Sequence, residues 1–171
     1  MKKLCVLIAV LILSGCLGMP KTVQPVTGFE QARYLGKWYE VARLDHPFER
    51  GLRQVSADYS VREDGGIRVL NRGFSEEKNK WQEAEGKAYF VNSTDKAYLK
   101  VSFFGPFYGS YVIFELDHDG YQYAFVSGPN TEYLWLLART PTVAPEVLDK
   151  FMTMAKARGF AVDKLIFPRH D

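Results

Sequence analysis

Apolar and polar side chains alternate along most of the chain after residue 36, and a period of two residues predicts β-strands. In the first such stretch, one face carries Trp38, Glu40, Ala42 and Leu44, and the other carries Tyr39, Val41 and Arg43. Seven further runs follow, over residues 56–62, 67–73, 80–91, 97–104, 111–116, 121–127 and 133–140. Eight strands joined by short loops predict a mainly β fold, an eight-stranded antiparallel up-and-down β-barrel, which leaves no strand edge unpaired.

A single amphipathic helix is predicted after the eighth strand. Pro145 and Glu146 are typical of a first helical turn, and Gly159 ends the pattern. Between them, apolar residues recur at helical spacing, which predicts one apolar face that packs on the outside of the barrel. Residues 160–167 predict a short ninth strand.

The first fifteen residues predict a signal peptide. Lys2 and Lys3 precede an apolar run over residues 5–13, which is too short for a membrane span because a spanning helix needs about 20 residues. Leu13-Ser14-Gly15-Cys16 resembles a bacterial lipobox, which implies cleavage before Cys16 and lipid attachment to it. The alternative is an ordinary signal peptide followed by an incidental cysteine.

The mature chain then divides into two parts. Residues 16–27 contain two prolines and no periodic pattern, so they predict an acylated Cys16 followed by a flexible tether. Residues 28–171 suit one domain. Residue 17 is Leu rather than Asp, which in a lipoprotein implies a lipid-anchored place in the bacterial outer membrane, facing the periplasm. Several acyl chains make a firm membrane anchor without a polybasic patch.

Cysteine content argues against a disulfide in the mature chain, and net charge argues against a nucleic-acid partner. The only cysteines are Cys5, which is removed with the signal peptide, and Cys16, so no thiol remains for a disulfide. The formal charge of +2 falls to about zero when Lys2 and Lys3 are removed, since each carries one positive charge. A neutral surface gives no electrostatic reason to expect nucleic acid as a partner.

Two motifs at opposite ends of the barrel-length segment carry a family resemblance. Gly36-Lys37-Trp38-Tyr39-Glu40 opens the first strand, and Leu137-Ala138-Arg139-Thr140-Pro141 ends the eighth. Together with the order of strands and helix, they resemble the lipocalin family, and most closely the bacterial outer-membrane lipoprotein lipocalins, with apolipoprotein D as an animal relative. The resemblance implies a structural motif of Gly36, Trp38 and Arg139, in which the arginine lies across the indole ring and closes one end of the barrel.

The resemblance also implies which residues point inward. The family's inward positions fall on mainly apolar residues that suit a pocket for an elongated hydrophobe: Ala42, Tyr59, Val69, Asn71, Gly86, Ala88, Leu99, Val101, Phe103, Trp135 and Leu137. We therefore expect a protein that binds, stores or transports fatty acids or lysophospholipids in the cell envelope. The alternative is that these side chains fill a small core, in an envelope structural protein without a physiological ligand.

Enzyme chemistry has little support in the sequence. His46, His118 and His170 lack the spacing of metal ligands, and no nucleophile or phosphate-binding motif is present. We therefore expect a binding protein with no catalytic residues, metal or cofactor. A lipocalin-fold enzyme acting on a bound lipid is the alternative, and Glu40 is the notable residue, because an inward acid needs a partner or a raised pKa.

The aromatic segment Phe103–Gly109 is expected at the open end of the barrel. Exposed apolar residues there would mark a portal at the membrane or a homodimer contact, whereas buried ones would mark an ordinary strand end. Five basic residues are expected around the same mouth. They would either receive a phosphate or carboxylate head group or be only solvated: Arg50, Arg53, Arg72, Lys78 and Lys80.

Overall fold

Eight antiparallel strands close into a barrel in a computed structural model that describes residues 17–171. The predicted signal peptide and Cys16 lie outside the described residues. The strands are β1 (Gly36–Arg43), β2 (Leu52–Val61), β3 (Ile67–Ser75), β4 (Lys80–Phe90), β5 (Tyr98–Phe104), β6 (Phe107–Leu116), β7 (Tyr123–Ser127) and β8 (Leu134–Ala138). Each strand pairs with the next along the chain, and β8 pairs with β1. The predicted eight-stranded barrel is confirmed.

The alternation of strand direction defines two ends of the barrel. The open end carries the loops over residues 44–51, 76–79, 105–106 and 128–133. The closed end carries the remaining connections and a short helix, α1 (Gln31–Tyr34), which precedes β1 and was not predicted. Tyr34 of α1 is buried against Trp38, with 4.6 Å between ring centroids, so this helix seals the end at which β1 begins.

The predicted helix is confirmed as α2 (Pro145–Ala157), and it lies outside the barrel. Phe151 and Ala155 are fully buried, and the Phe151 ring meets the outward-facing Phe125 of β7 at 5.0 Å between centroids. The molecule therefore has two apolar clusters, one inside the barrel and one between its outer wall and α2. None of the helices within residues 17–171 is long and apolar enough to cross a membrane.

The ninth strand is reduced to one bridge. Arg43 and Ile166 exchange backbone hydrogen bonds of 2.9 and 2.8 Å, and a 3-10 turn, Val162–Lys164, precedes them. The next hydrogen-bonded pair of such an antiparallel ladder would join residues 41 and 168. Pro168 has no N–H to donate, so the ladder stops after a single pair.

The segment before the barrel lies along its outer wall in the part that the structure describes. Val23 is fully buried in the outer cluster. The Val26 amide donates to the Ile113 carbonyl at 2.9 Å, and the Val26 carbonyl accepts from the Ala97 amide at 3.0 Å. From residue 17 onward, the segment predicted to be a flexible tether is therefore docked on the barrel. Val23 and Val26 contact distant residues, which no local sequence pattern reveals.

Candidate functional site

The closed end of the barrel is sealed by Arg139 and Trp38. The guanidinium carbon of Arg139 lies 3.9 Å from the centroid of the fully buried Trp38 ring. The same guanidinium donates to the carbonyl oxygens of Arg33, Lys37 and Tyr121 at 2.8, 2.9 and 3.2 Å. Gly36 adopts a positive φ of 91°, a conformation that glycine accepts readily. No ligand can enter from this end without breaking these contacts.

Three tyrosines fill the interior above this seal. The Tyr111 hydroxyl lies 2.7 Å from that of Tyr34 and 3.0 Å from that of Tyr59. Burial raises the pKa of all three phenols well above the ordinary value, so they remain neutral and hydrogen-bond one another. The closed half of the barrel is therefore a packed core. The sequence left open the alternative that such a core fills the whole interior and leaves no room for a ligand.

Most residues predicted to line the pocket do lie inside the barrel. The interior cluster includes Tyr59, Val69, Ala88, Leu99, Val101, Phe103, Trp135 and Leu137. Asn71 lies directly opposite Ala57 of this cluster, and Gly86 lies opposite Val69, so both share the inward face. A Cβ on Gly86 would come within 2.8 Å of the Phe103 ring, which shows that this ring covers the glycine.

Ala42 is the exception, and its predicted inward orientation is wrong. The pairing of β1 with β8 shifts between Glu40 and Ala42, so that Val41 is an extra residue. Such a bulge reverses the alternation beyond it. Ala42 consequently faces outward in the outer cluster, and Arg43 lies opposite the inward-facing Trp135.

The bulge creates a buried polar cluster at the open half of the interior, formed by Glu40, Arg43, His46 and Glu49. All four side chains are buried. Glu49 Oε2 accepts from the Trp135 indole at 3.2 Å and lies 2.8 Å from His46 Nε2. Arg43 donates to the Glu49 carbonyl at 2.8 Å, and its guanidinium lies 3.5 Å from Glu40 Oε1. We call this group the mouth cluster.

The two acids of the mouth cluster have opposite pKa shifts. Burial, together with the nearby Glu49, raises the pKa of Glu40 well above its ordinary value of 4.5, although Arg43 opposes the rise. Burial also acts to raise the pKa of Glu49, but hydrogen bonds and charge from His46 outweigh it, so the pKa of Glu49 is lowered. Glu40 is therefore the neutral acid of the mouth cluster, and Glu49 is its carboxylate.

The mouth cluster holds the loop over residues 44–51 against the barrel. This loop supplies His46 and Glu49, and its Leu44 amide donates to the Leu134 carbonyl at 3.0 Å. Glu40 stands out in the sequence as an inward acid, whereas the roles of Arg43, His46 and Glu49 were not predicted. A charged residue at a strand end gives no signal of burial, because the bulge that turns Arg43 inward is set by pairing with β8.

The basic residues predicted around the mouth are largely engaged with acids. Arg50 pairs with Asp45 at 2.7 Å, Arg53 with Glu76 at 3.2 Å, and Arg72 with Glu83 at 2.7 Å. Each partner is at least partly exposed, so each pair contributes little to stability, about 0–1 kcal/mol. Lys78 and Lys80 lie in and beside the loop over residues 76–79. Three of the five predicted basic residues are therefore neutralised by ion pairs.

The wall of the barrel opens between β4 and β5. Pairing between these strands reaches only Lys87 and Ser102, although β4 begins seven residues earlier. A cleft of about 190 Å³ lies there, and its lining includes Gly86, Ser102 and Phe103. Two of the predicted pocket residues, Gly86 and Phe103, are thus reached from the side of the barrel.

The three histidines are dispersed. His46 belongs to the mouth cluster, and His170 lies 2.8 Å from the Glu40 carbonyl oxygen. The carbonyl of His118 accepts from Arg33 at the closed end. Within residues 17–171 no group of three or more His, Cys, Asp or Glu side chains could hold a metal ion.

Comparison with known proteins gives the same picture of the fold. A family model described as a lipocalin-like domain matches residues 29–170. The outer membrane lipoprotein Blc of Vibrio cholerae serotype O1 is 67% identical over 167 residues, covering 98% of each chain. Apolipoprotein D of Mus musculus is 28% identical over 144 residues, covering 80% of this chain and 75% of its own. The structure of insecticyanin from Manduca sexta, at 19% identity, aligns with a TM-score of 0.72 over 90% of this chain and 87% of that one.

Proposed function

The chain belongs to the lipocalin family, and from that membership we propose that it binds fatty acids or lysophospholipids and stores or carries them in the cell envelope. It is a lipid-anchored protein of the bacterial outer membrane, like the relatives named outer membrane lipoproteins. The family and fold support a lipocalin that binds hydrophobic ligands. The barrel interior supports the class of ligand.

The observation that carries the proposal is the division of the interior into two halves. The closed half is filled by Tyr34, Tyr59 and Tyr111, whereas the interior towards the open end has an apolar wall that includes Val101, Phe103 and Trp135. An acyl chain suits this wall, because burying each CH₂ stabilises the complex by about 0.8 kcal/mol. The tyrosine hydroxyls form the floor and limit the length of chain that fits.

The mouth cluster supplies the polar part of the site. Arg43 and the neutral Glu40 are hydrogen-bond donors beside Trp135, at the end of the pocket where a head group would remain. A single acyl chain with a carboxylate or phosphate head needs this combination of an apolar wall and donors at one end. A second acyl chain would have to share a barrel that has room for about one small ligand.

Lipid attachment at Cys16 completes the proposal. Residues 1–15 act as the signal peptide, and Cys16 carries the acyl chains that attach the domain over residues 28–171 to the membrane. The sequence around Cys16 supports this assignment. We propose a binding protein rather than an enzyme, since the buried acids Glu40 and Glu49 hold a loop in place and pair with Arg43 and His46.

Native mass spectrometry of the soluble Cys16→Ser domain, purified without delipidation, tests the proposal. We expect an added mass of one fatty acid or lysophospholipid, which delipidation removes and added lipid restores. Val101→Phe should abolish the added mass because Val101 faces inward above the tyrosine floor, whereas Lys100→Phe, on the opposite face of β5, should retain it. A domain that carries and rebinds no lipid, while its circular dichroism remains native, would contradict the proposed function.

A further inference from the structure

Exposed aromatic side chains concentrate at the open end of the barrel. Phe48 is 66% exposed in the loop over residues 44–51, and Trp81 is 46% exposed at the start of β4. Phe104 and Phe107, which pair across the β5–β6 hairpin, are 80% and 59% exposed. Such a group of large apolar side chains marks a surface that contacts another apolar phase or partner. At the closed end, Val61 is 60% exposed and has no aromatic counterpart among the described residues.

The first described residues of the docked N-terminal segment lie near the open end of the barrel. A Cβ built on Gly18 would lie 3.9 Å from the carbonyl oxygen of Pro129, which belongs to the β7–β8 loop at the open end. The Leu17 carbonyl accepts a hydrogen bond from the Tyr98 hydroxyl on the outer wall. Tyr98 pairs with Val112, and Val112 pairs in turn with the last residue of β7, so the strand ladder links Tyr98 to the start of that loop.

Covalent geometry fixes where an anchor on the preceding residue must leave the protein. Gly18, one residue after Leu17, lies beside the β7–β8 loop, so acyl chains carried immediately before Leu17 would act on this end of the barrel. The closed end is farther away by the length of the strands, since a residue in a strand advances about 3.3 Å. Acyl chains attached at Cys16 therefore hold the open end, rather than the closed end, near the lipid.

We propose that the open end of the barrel rests on the membrane surface, with Phe48, Phe104 and Phe107 among the lipid head groups. The proposal rests on the acylation of Cys16 that belongs to the proposed function. Because the rim pairs Arg50 and Arg53 with acids, the contact is apolar rather than electrostatic, and it should persist at high salt. The cleft between β4 and β5 lies beside the same hairpin, so an acyl chain can pass between membrane and barrel with little exposure to water.

Two labelled variants of the acylated protein test this orientation. The mature chain has no thiol besides the acylated Cys16, so Phe107→Cys and Val61→Cys each give one site for a polarity-sensitive dye. The two positions are equally exposed, and they lie at opposite ends of the barrel. In phosphatidylethanolamine and phosphatidylglycerol vesicles that contain a lipid-borne quencher, quenching at position 107 should exceed that at position 61 several-fold. The quenching at position 107 should change little when the salt concentration is raised.

The possible outcomes are distinct. Equal quenching at the two positions, or stronger quenching at position 61, would overturn the orientation while leaving the anchor intact, provided that both proteins float with the vesicles. A labelled protein that fails to float would contradict both the orientation and the acylation of Cys16. If a second copy of the chain covers the open end instead, position 107 would be shielded from the lipid quencher and would cross-link to its counterpart, which also overturns the proposal. Lipid binding by the Cys16→Ser domain is measured separately, so the ligand assignment does not depend on this result.

Discussion

Removing the contact between Trp38 and Arg139 should destabilise the barrel in a way that reveals their coupling. Trp38 is fully buried, and its indole also donates to the Tyr34 carbonyl at 2.8 Å. Trp38→Ala should lower the free energy of unfolding by about 3–5 kcal/mol, as for other large core truncations. Arg139→Ala removes three hydrogen bonds to carbonyl oxygens and the stacking contact. Since two of these bonds are exposed, we expect a loss of about 2–4 kcal/mol.

The double variant should lose less than the sum of the two single losses. The cation–π contact contributes about 0.5–2 kcal/mol, and each single variant already removes it, so this amount is counted only once in the double variant. Urea unfolding of the soluble Cys16→Ser domain, followed by circular dichroism, measures all four free energies. Arg158→Ala provides the control, because Arg158 lies over Phe114 and belongs to another part of the molecule. Its loss should add to that of Trp38→Ala, and strict additivity for Arg139 as well would refute the coupling.

Three further predictions concern the anchor, the wall and the mouth cluster. Cys16→Ser should move the protein from the outer-membrane fraction to the soluble fraction with unchanged circular dichroism, and retention after a salt wash would place the anchor elsewhere. Gly86→Ala should lower the free energy of unfolding by about 1–3 kcal/mol, because its Cβ would meet the Ser102 carbonyl oxygen at 2.8 Å, whereas Gly109→Ala, with open space around it, should not. The native protein keeps a proton on Glu40 where the unfolded chain has lost it, so the free energy of unfolding falls as pH rises above about 4.5 through the raised pKa. Glu40→Gln should remove that dependence. Its melting temperature should therefore exceed that of the parent by a margin that grows from about pH 5 to about pH 8. A constant margin would contradict the raised pKa of Glu40.

Strand alternation was enough to predict the barrel, because one face of nearly every strand is apolar and turn residues separate the runs. The amphipathic pattern likewise located α2 and the side on which it packs. These features are local in the sequence. The inward position of Gly86 and the outward position of Leu136 follow from the same period of two.

The errors arose where distant partners decide the local structure. The bulge at Val41 depends on the register between β1 and β8, and it exchanged the faces of Ala42 and Arg43. The docking of residues 17–27 depends on distant partners such as Ala97 and Ile113, which the segment itself does not reveal. The predicted strand over residues 160–167 keeps a single bridge at Ile166, because a 3-10 turn precedes that residue and Pro168, which has no N–H, follows two residues later.

Affinity as a function of acyl-chain length tests the central claim most directly. Saturated fatty acids of increasing length would be titrated into the soluble Cys16→Ser domain while the fluorescence of the inward-facing Trp135 is followed, with Trp135→Phe as the control for Trp38 and Trp81. Each added CH₂ should strengthen binding by about 0.8 kcal/mol, before the cost of immobilising the chain, until the chain reaches the tyrosine floor. Beyond that length the affinity should stop rising. A flat profile, or quenching that persists in full in Trp135→Phe, would contradict a binding pocket in the open half of the barrel.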